Sequence, residues 1–204
     1  MSESDGEPHN IYFGFSTTRM WLSRAIRKLT GSKYSHCWVL HPSRVWGGMW
    51  ITHADWPVVR QWPAETADAK WSVAVLYRPK FPNLAQALTA VRSDFERPYD
   101  VLGLFGMMWV LFMAWLGRKV KNPLASNKGL FCSEFVAEIF QKAGLPGTIN
   151  WDPETLDPKS VEAYCASHPE LFEAVPGEQV KVLMGATKIE RGRLRRKRRR
   201  KKAA

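Results

Sequence analysis

Cysteine is scarce in this chain: Cys37, Cys132 and Cys165 are the three among 204 residues. An odd, sparse set with no CxxC pair excludes a disulfide-stapled scaffold and points to a reducing compartment. Finger-like metal spacing is also missing. His36, Cys37, His41 and His53 offer zinc-type donors, but adjacent strand residues point to opposite faces, so His36 and Cys37 are not expected to share an ion. The expected metal and cofactor set is therefore empty. Met1 to Asn10 is acidic and polar, without the basic start and apolar run of a secretory leader. Acid is absent from the other end: Arg191 to Lys202 holds ten basic residues and no Asp or Glu. The formal charge of +11 thus belongs mostly to a tail over 187–204, expected to be self-repelling, solvated and disordered. Such a run suits contact with nucleic acid or an anionic membrane. No internal repeat is present.

A full membrane-crossing run is missing too. Val101 to Gly117 (VLGLFGMMWVLFMAWLG) is uncharged and followed by Arg118 and Lys119, but it falls short of the ~20 apolar residues a span usually needs. Its glycines and tryptophans suit a buried helix, or one lying at a membrane interface, better than a crossing one.

What is present is a folding composition, with 45% hydrophobic residues, 12% aromatics and ten tryptophans. One domain is expected over 11–186, after a disordered N-terminus at 1–10. Ile11–Phe15, Tyr34–Leu40, Trp46–Ala54 and Trp71–Arg78 read as strands. Thr17 or Thr18 is placed to cap a helix carrying Met20, Leu22, Ile26 and Leu29 at helical spacing, ended by Gly31. Further helices are expected over 83–96, 130–142 and 160–167, with Val180–Met184 as a last strand. Strands first and helices later indicate an α+β fold.

Cys132 stands in Gly-Leu-Phe-Cys-Ser-Glu-Phe at the expected start of a helix. Free N–H groups and the helix dipole there favour an anion and lower a thiol's pKa. Taken alone, a lone cysteine is more often an inert core residue. His36 shares a strand face with Trp38 and Leu40, opposite Cys37 and Val39. Alone it fits a core histidine satisfied by backbone. Paired with a thiolate it would serve as general base and then general acid. If the two strands form a hairpin, His53 approaches His36 as the third group fixing the base's tautomer, with Asp55 as the fallback.

Four segments, Ser35-His36, Ile51-Thr-His-Ala54, Tyr99-Asp-Val-Leu-Gly-Leu-Phe-Gly106 and Phe131-Cys-Ser-Glu-Phe-Val136, occur in the order found in circularly permuted papain-like cysteine hydrolases. The chain resembles the YiiX type of the NlpC superfamily, and more distantly the lecithin retinol acyltransferases, over about 11–142. The resemblance implies a small antiparallel β-barrel or sheet packed against helices, with Cys132 as nucleophile and His36 as base. It places His53 at the orienting position, which is often Glu in such proteins, and Tyr99 as an accessory contact or packing residue. The expected activity is cleavage of an amide, such as a cell-wall peptide bond, through an acyl-enzyme. The alternatives are a lipid acyltransferase or thioesterase at a membrane surface, and a non-catalytic binding protein that works through residues 191–202. A peptide or acyl substrate is the expected partner. The expected location is the cytoplasm or a phage particle, with peripheral membrane association.

Overall fold

The computed structural model describes residues 10–43, 45–68, 71–91, 97–124 and 129–184. Apart from Asn10, the expected N-terminal segment lies outside the described residues, as does the basic tail. Six strands form one sheet: β1 (Tyr12–Thr17), β2 (His36–Pro42), β3 (Met49–Asp55), β4 (Val58–Pro63), β5 (Ser72–Pro79) and β6 (Phe172–Ala174). Their order is β4-β3-β2-β1-β5-β6, every neighbouring pair is antiparallel, and the sheet is open. The α+β class is thus realised as an open sheet and not a closed barrel.

Apolar residues line both faces of this sheet, which is why IYFGF and CWVL lack clean alternation. On one face, Phe13, Cys37, Val39 and Ala54 pack with Phe135, Val136 and Ile139 of helix α5 (Cys132–Lys142). On the other, Tyr12, Trp38, Leu40, Ile51, Trp71 and Leu76 form a second core, closed by Val180 and Met184. Period-two alternation sorts each strand between these two cores. Gly14 faces Trp38 in the β1–β2 register, and a Cβ there would lie 2.3 Å from the indole ring. The glycine therefore makes room for Trp38, whose Nε1–H donates to Ser16 Oγ at 3.0 Å.

Helix α1 (Trp21–Thr30) ends at Gly31, in the left-handed region at φ 62°. Its N-cap residue is Met20, with no side-chain cap; Thr17 closes β1 instead. Helices α2 (Ala64–Asp68) and α3 (Leu84–Ala90) follow; the expected extension of α3 through 92–96 lies outside the described residues. The apolar run forms α4 (Val101–Trp115), capped by Asp100 Oδ1 accepting from Gly103 N at 2.7 Å. Among the described residues no helix is long and apolar enough to cross a membrane. Helix α6 (Pro158–Ser167) starts at Asp157, which accepts from Ser160 N at 2.6 Å.

Two expectations need correction. Val180–Met184 is not a strand but part of helix α7 (Gly177–Leu183) and its cap. Pro176 presets the entry, and Val180 and Met184, four residues apart, both face the core, whereas a short apolar run alone does not distinguish helix from strand. Strand β4, Val58–Pro63, was not anticipated: its short VVRQWP sequence, between Pro57 and Pro63, acquires strand geometry by pairing with β3 from Trp50↔Pro63 to Asp55↔Val58.

Candidate active site

Cys132 is the first residue of α5. Phe131 precedes it in extended conformation, and Glu134 Oε2 accepts from the Phe131 N–H at 3.3 Å. Ser133 Oγ donates to Leu156 O at 2.7 Å, tying the first turn to the following loop. The approach to Cys132 is fixed by a parallel bridge between Tyr99 and Leu130. Leu130 N donates to Pro98 O at 3.0 Å, and Asp100 N donates to Leu130 O at 3.2 Å. Gly129 is needed for this close approach: a Cβ would lie 2.8 Å from Asp100 Cβ and 2.9 Å from Pro98 O. Its role is space, since it is not among the glycines with positive φ.

The β2–β3 pairing runs from Pro42↔Met49 to Val39↔Thr52 and stops there. Extending that register would set His36 opposite Asp55 and diagonal to His53, a separation that aromatic side chains bridge. The imidazoles meet, with His36 Nε2 and His53 Nδ1 3.1 Å apart. A box of indoles surrounds the pair: His36 lies 4.9 Å from the Trp71 centroid, and His53 lies 4.8 Å from both Trp62 and Trp71. His53 is fully buried. Indole faces favour a cation, and His36, unlike His53, is half-buried and reaches the cleft.

The electrostatics of this cluster are mutual. The Cys132 thiol is held well below its ordinary range, first by a hydrogen bond from the Cys37 side chain. Burial opposes this, while the charge of His36 and hydrogen bonds from His36 and the Cys37 backbone reinforce it. For His36, burial is the largest influence and pushes the imidazole down. The Cys132 charge, a hydrogen bond to it and the Asp55 charge outweigh that, so the net shift is upward. Cys37 is pushed well up, first by burial and then by Cys132, so it remains a protonated donor. Tyr99 is likewise raised well above its ordinary range, by burial first and next by Cys132. A neutral phenol beside the sulfur follows.

Cys132, His36, His53 and Tyr99 thus gather at one place. Asp55 stays at the margin: it accepts from Arg60 Nη2 at 2.6 Å and reaches His36 only through its charge. Arg60 in turn lies 4.3 Å over the Trp62 ring. The side chain in contact with the His36 ring is thus His53, while Asp55 is engaged by Arg60. Cys37 was not anticipated at the site. The signal was in the alternation: pointing away from His36 aims Cys37 at the face that α5 covers.

A cleft of about 950 Å³ opens over the cluster, lined by His36, Tyr99, Asp55, Arg60, Trp62 and Trp71 on one side and by Thr17–Met20 and the inner face of α1 on the other. Cys132 is 4% exposed and is not among the residues lining this cleft, which it meets through its contact with His36. Among the described residues, no cluster of three His, Cys, Asp or Glu side chains could hold a metal ion.

No family model and no curated protein matches the chain. A crystal structure of the metalloprotein YiiX from Escherichia coli O157:H7 is similar at 19% identity, covering 84% of this chain and 89% of that one, with a TM-score of 0.48. The chain has a distant YiiX-like structural neighbour. A likeness of that degree carries no argument about chemistry, which rests on the residues themselves.

Proposed function

We propose that the chain is a cysteine hydrolase that cleaves an amide through an acyl-enzyme, with Cys132 as nucleophile, His36 as acid and base, and His53 as a positioning residue. What supports this reading is the placement of Cys132 as the first residue of α5 in contact with His36, whose imidazole lies 3.1 Å from that of His53. With Nε2 engaged by His53, Nδ1 is the nitrogen left to exchange a proton with sulfur. The resting pair is a thiolate and an imidazolium, and the imidazolium donates its Nε2–H to His53 Nδ1.

The thiolate attacks the substrate carbonyl, forming a C–S bond and moving the carbonyl electron pair onto oxygen. First-turn backbone N–H groups of α5 and the neutral Tyr99 hydroxyl are the donors for that oxyanion; one such donor is typically worth about 3 kcal/mol. His36 then protonates the amide nitrogen, the C–N bond breaks and an amine leaves. Neutral His36 takes a proton from water, the hydroxide equivalent attacks the thioester, and the carboxylic acid departs as the thiolate is restored. The cleft combines Arg19 with Trp56, Trp62 and Trp71, while Arg60 there is already paired with Asp55; Arg19 beside the indoles suits a peptide bearing a carboxylate next to an apolar group. A cell-wall peptide is the first choice on the resemblance described above; ester and thioester substrates are the alternatives.

The test is acylation of the purified chain by a panel of amide, ester and thioester probes, with the modified peptide identified by mass spectrometry. The modification is expected on Cys132 and absent from Cys132→Ala. Equal labelling of that variant, or labelling confined to Cys37 or Cys165, overturns the reading. Unmodified protein that binds DNA in a salt-dependent way, and loses binding when 191–202 is deleted, would replace it with the non-catalytic alternative.

A further inference from the structure

Helix α4 has two apolar faces. Leu104 and Met107 are buried against Ile26 and Phe131, with Leu111 packed beside them. Leu102, Phe105, Trp109, Phe112 and Leu116, spaced by three or four residues, form a second stripe with between 37% and 64% of their surface exposed. The rings along it touch one another: Trp109 and Phe112 lie 6.0 Å apart, and Phe112 and Trp115 lie 6.1 Å apart. A patch of this kind on a lone globule marks a binding surface. Helix α1 packs against α4 and contributes exposed Met20 and Trp21 at its own N-terminal end.

Positive charge is concentrated in the two segments beside this surface, although the 3-10 turn Pro153–Thr155, flanked by Asp152 and Asp157, also packs against α4. Arg118, Lys119 and Lys121 follow α4 immediately, and Arg19, Arg24, Arg27, Lys28 and Lys33 lie on or beside α1. Neither 19–33 nor 101–121 contains an Asp or Glu. Outside the C-terminal tail the chain is almost neutral, so these two segments concentrate its positive charge. We propose that the outer face of α4, together with the N-terminal end of α1, docks on an anionic lipid bilayer, with α4 lying in the headgroup region. Exposed Trp and Phe flanked by Lys and Arg suit that boundary, where the rings enter the acyl edge and the cations meet lipid phosphates. Fifteen helical residues span only about 22 Å, short of the ~30 Å hydrocarbon core, so α4 rests on the membrane and does not cross it. A second copy covering the same stripe would bring two sets of these cations together, a repulsion that anionic headgroups replace with attraction. Met20, which caps α1, and Leu22 and Ile26 within it also line the cleft, so docking sets the cleft mouth beside the bilayer. This inference does not depend on Cys132 being catalytic.

The test is flotation of the full chain with vesicles of phosphatidylcholine alone and of an equal phosphatidylcholine–phosphatidylglycerol mixture. The wild type is expected to float with the anionic vesicles and to lose binding as salt rises. Trp109→Glu combined with Phe112→Glu is expected to weaken partition by at least about tenfold, since two exposed rings that would enter the bilayer are lost while the basic tail is retained. Leu102→Glu, at the other end of the stripe, is expected to weaken it in the same direction. Circular dichroism confirms the fold of each variant, and the site carried by a folded one gives the answer. Arg118→Gln, Lys119→Gln and Lys121→Gln together are expected to reduce the salt dependence. Wild-type protein that fails to float, or folded stripe variants that float like wild type, overturns the proposal. So does a wild-type dimer that the same substitutions dissociate without any vesicle binding.

Discussion

Replacing His53 tests the link between the imidazole pair and the reactivity of the sulfur. His53 is fully buried between Trp62 and Trp71, and its Nδ1 lies within hydrogen-bonding distance of His36 Nε2 at 3.1 Å. In the imidazolium state that bond has a charged donor, a class worth about 1.5–3 kcal/mol. His53→Ala removes it, and at ~1.4 kcal/mol per factor of ten the acylation rate is expected to fall roughly 10- to 150-fold. The lost ring also leaves a cavity beside two indoles, so a stability loss of about 2–3 kcal/mol is expected from urea unfolding. His53→Asn separates the two effects. Asn Oδ1 occupies nearly the position of a histidine Nδ1, so an acceptor for His36 is retained although the ring is lost. The expected result is a similar loss of stability, with most of the acylation rate recovered at temperatures where both variants are folded. The alkaline limb of the pH–rate profile should also move to lower pH in His53→Ala, because the imidazolium loses its acceptor. Wild-type acylation and an unchanged pH profile in folded His53→Ala would refute the reasoning.

The activity against pH is expected to be bell-shaped. It rises as pH passes the lowered Cys132 value and falls as pH passes the raised His36 value, measured as kcat/KM. Stability should follow the same two groups. The Cys132 contribution is present above the ordinary thiol value and lost as pH falls through the folded one. The His36 contribution is complete below 6.5 and lost as pH rises through the folded value. Cys37→Ala removes the first cause of the lowered thiol, so thiolate absorbance at Cys132 should titrate at higher pH than in wild type. Gly14→Ala places a methyl 2.3 Å from the buried Trp38 ring and should destabilise the fold by about 1–3 kcal/mol in thermal or urea unfolding, with unaltered strand content in the folded state.

Local pattern was sufficient for much of this molecule. Short runs rich in β-branched and aromatic residues identified β1, β2, β3 and β5, and helical spacing, closed by Gly31 in α1, identified α1 and α5. The parity argument placed His36, Trp38 and Leu40 together, and a hairpin between β2 and β3 was enough to bring His53 toward His36. Those readings succeed because the period of a strand or helix is set by backbone geometry within a few residues. Tertiary structure decided what local period does not encode. Strand β4 exists through its pairing with β3, and Val180–Met184 became helical because Val180 and Met184 fill one core from successive turns. The Cys37–Cys132 contact joins residues distant in sequence, on a strand and a helix whose packing no local spacing specifies. The same holds for the open edge of the sheet and for the second apolar face of α4. Burial of one stripe of that helix and exposure of the other depend on where α1 lies, and a sequence hydrophobic on both faces does not reveal which stripe is covered.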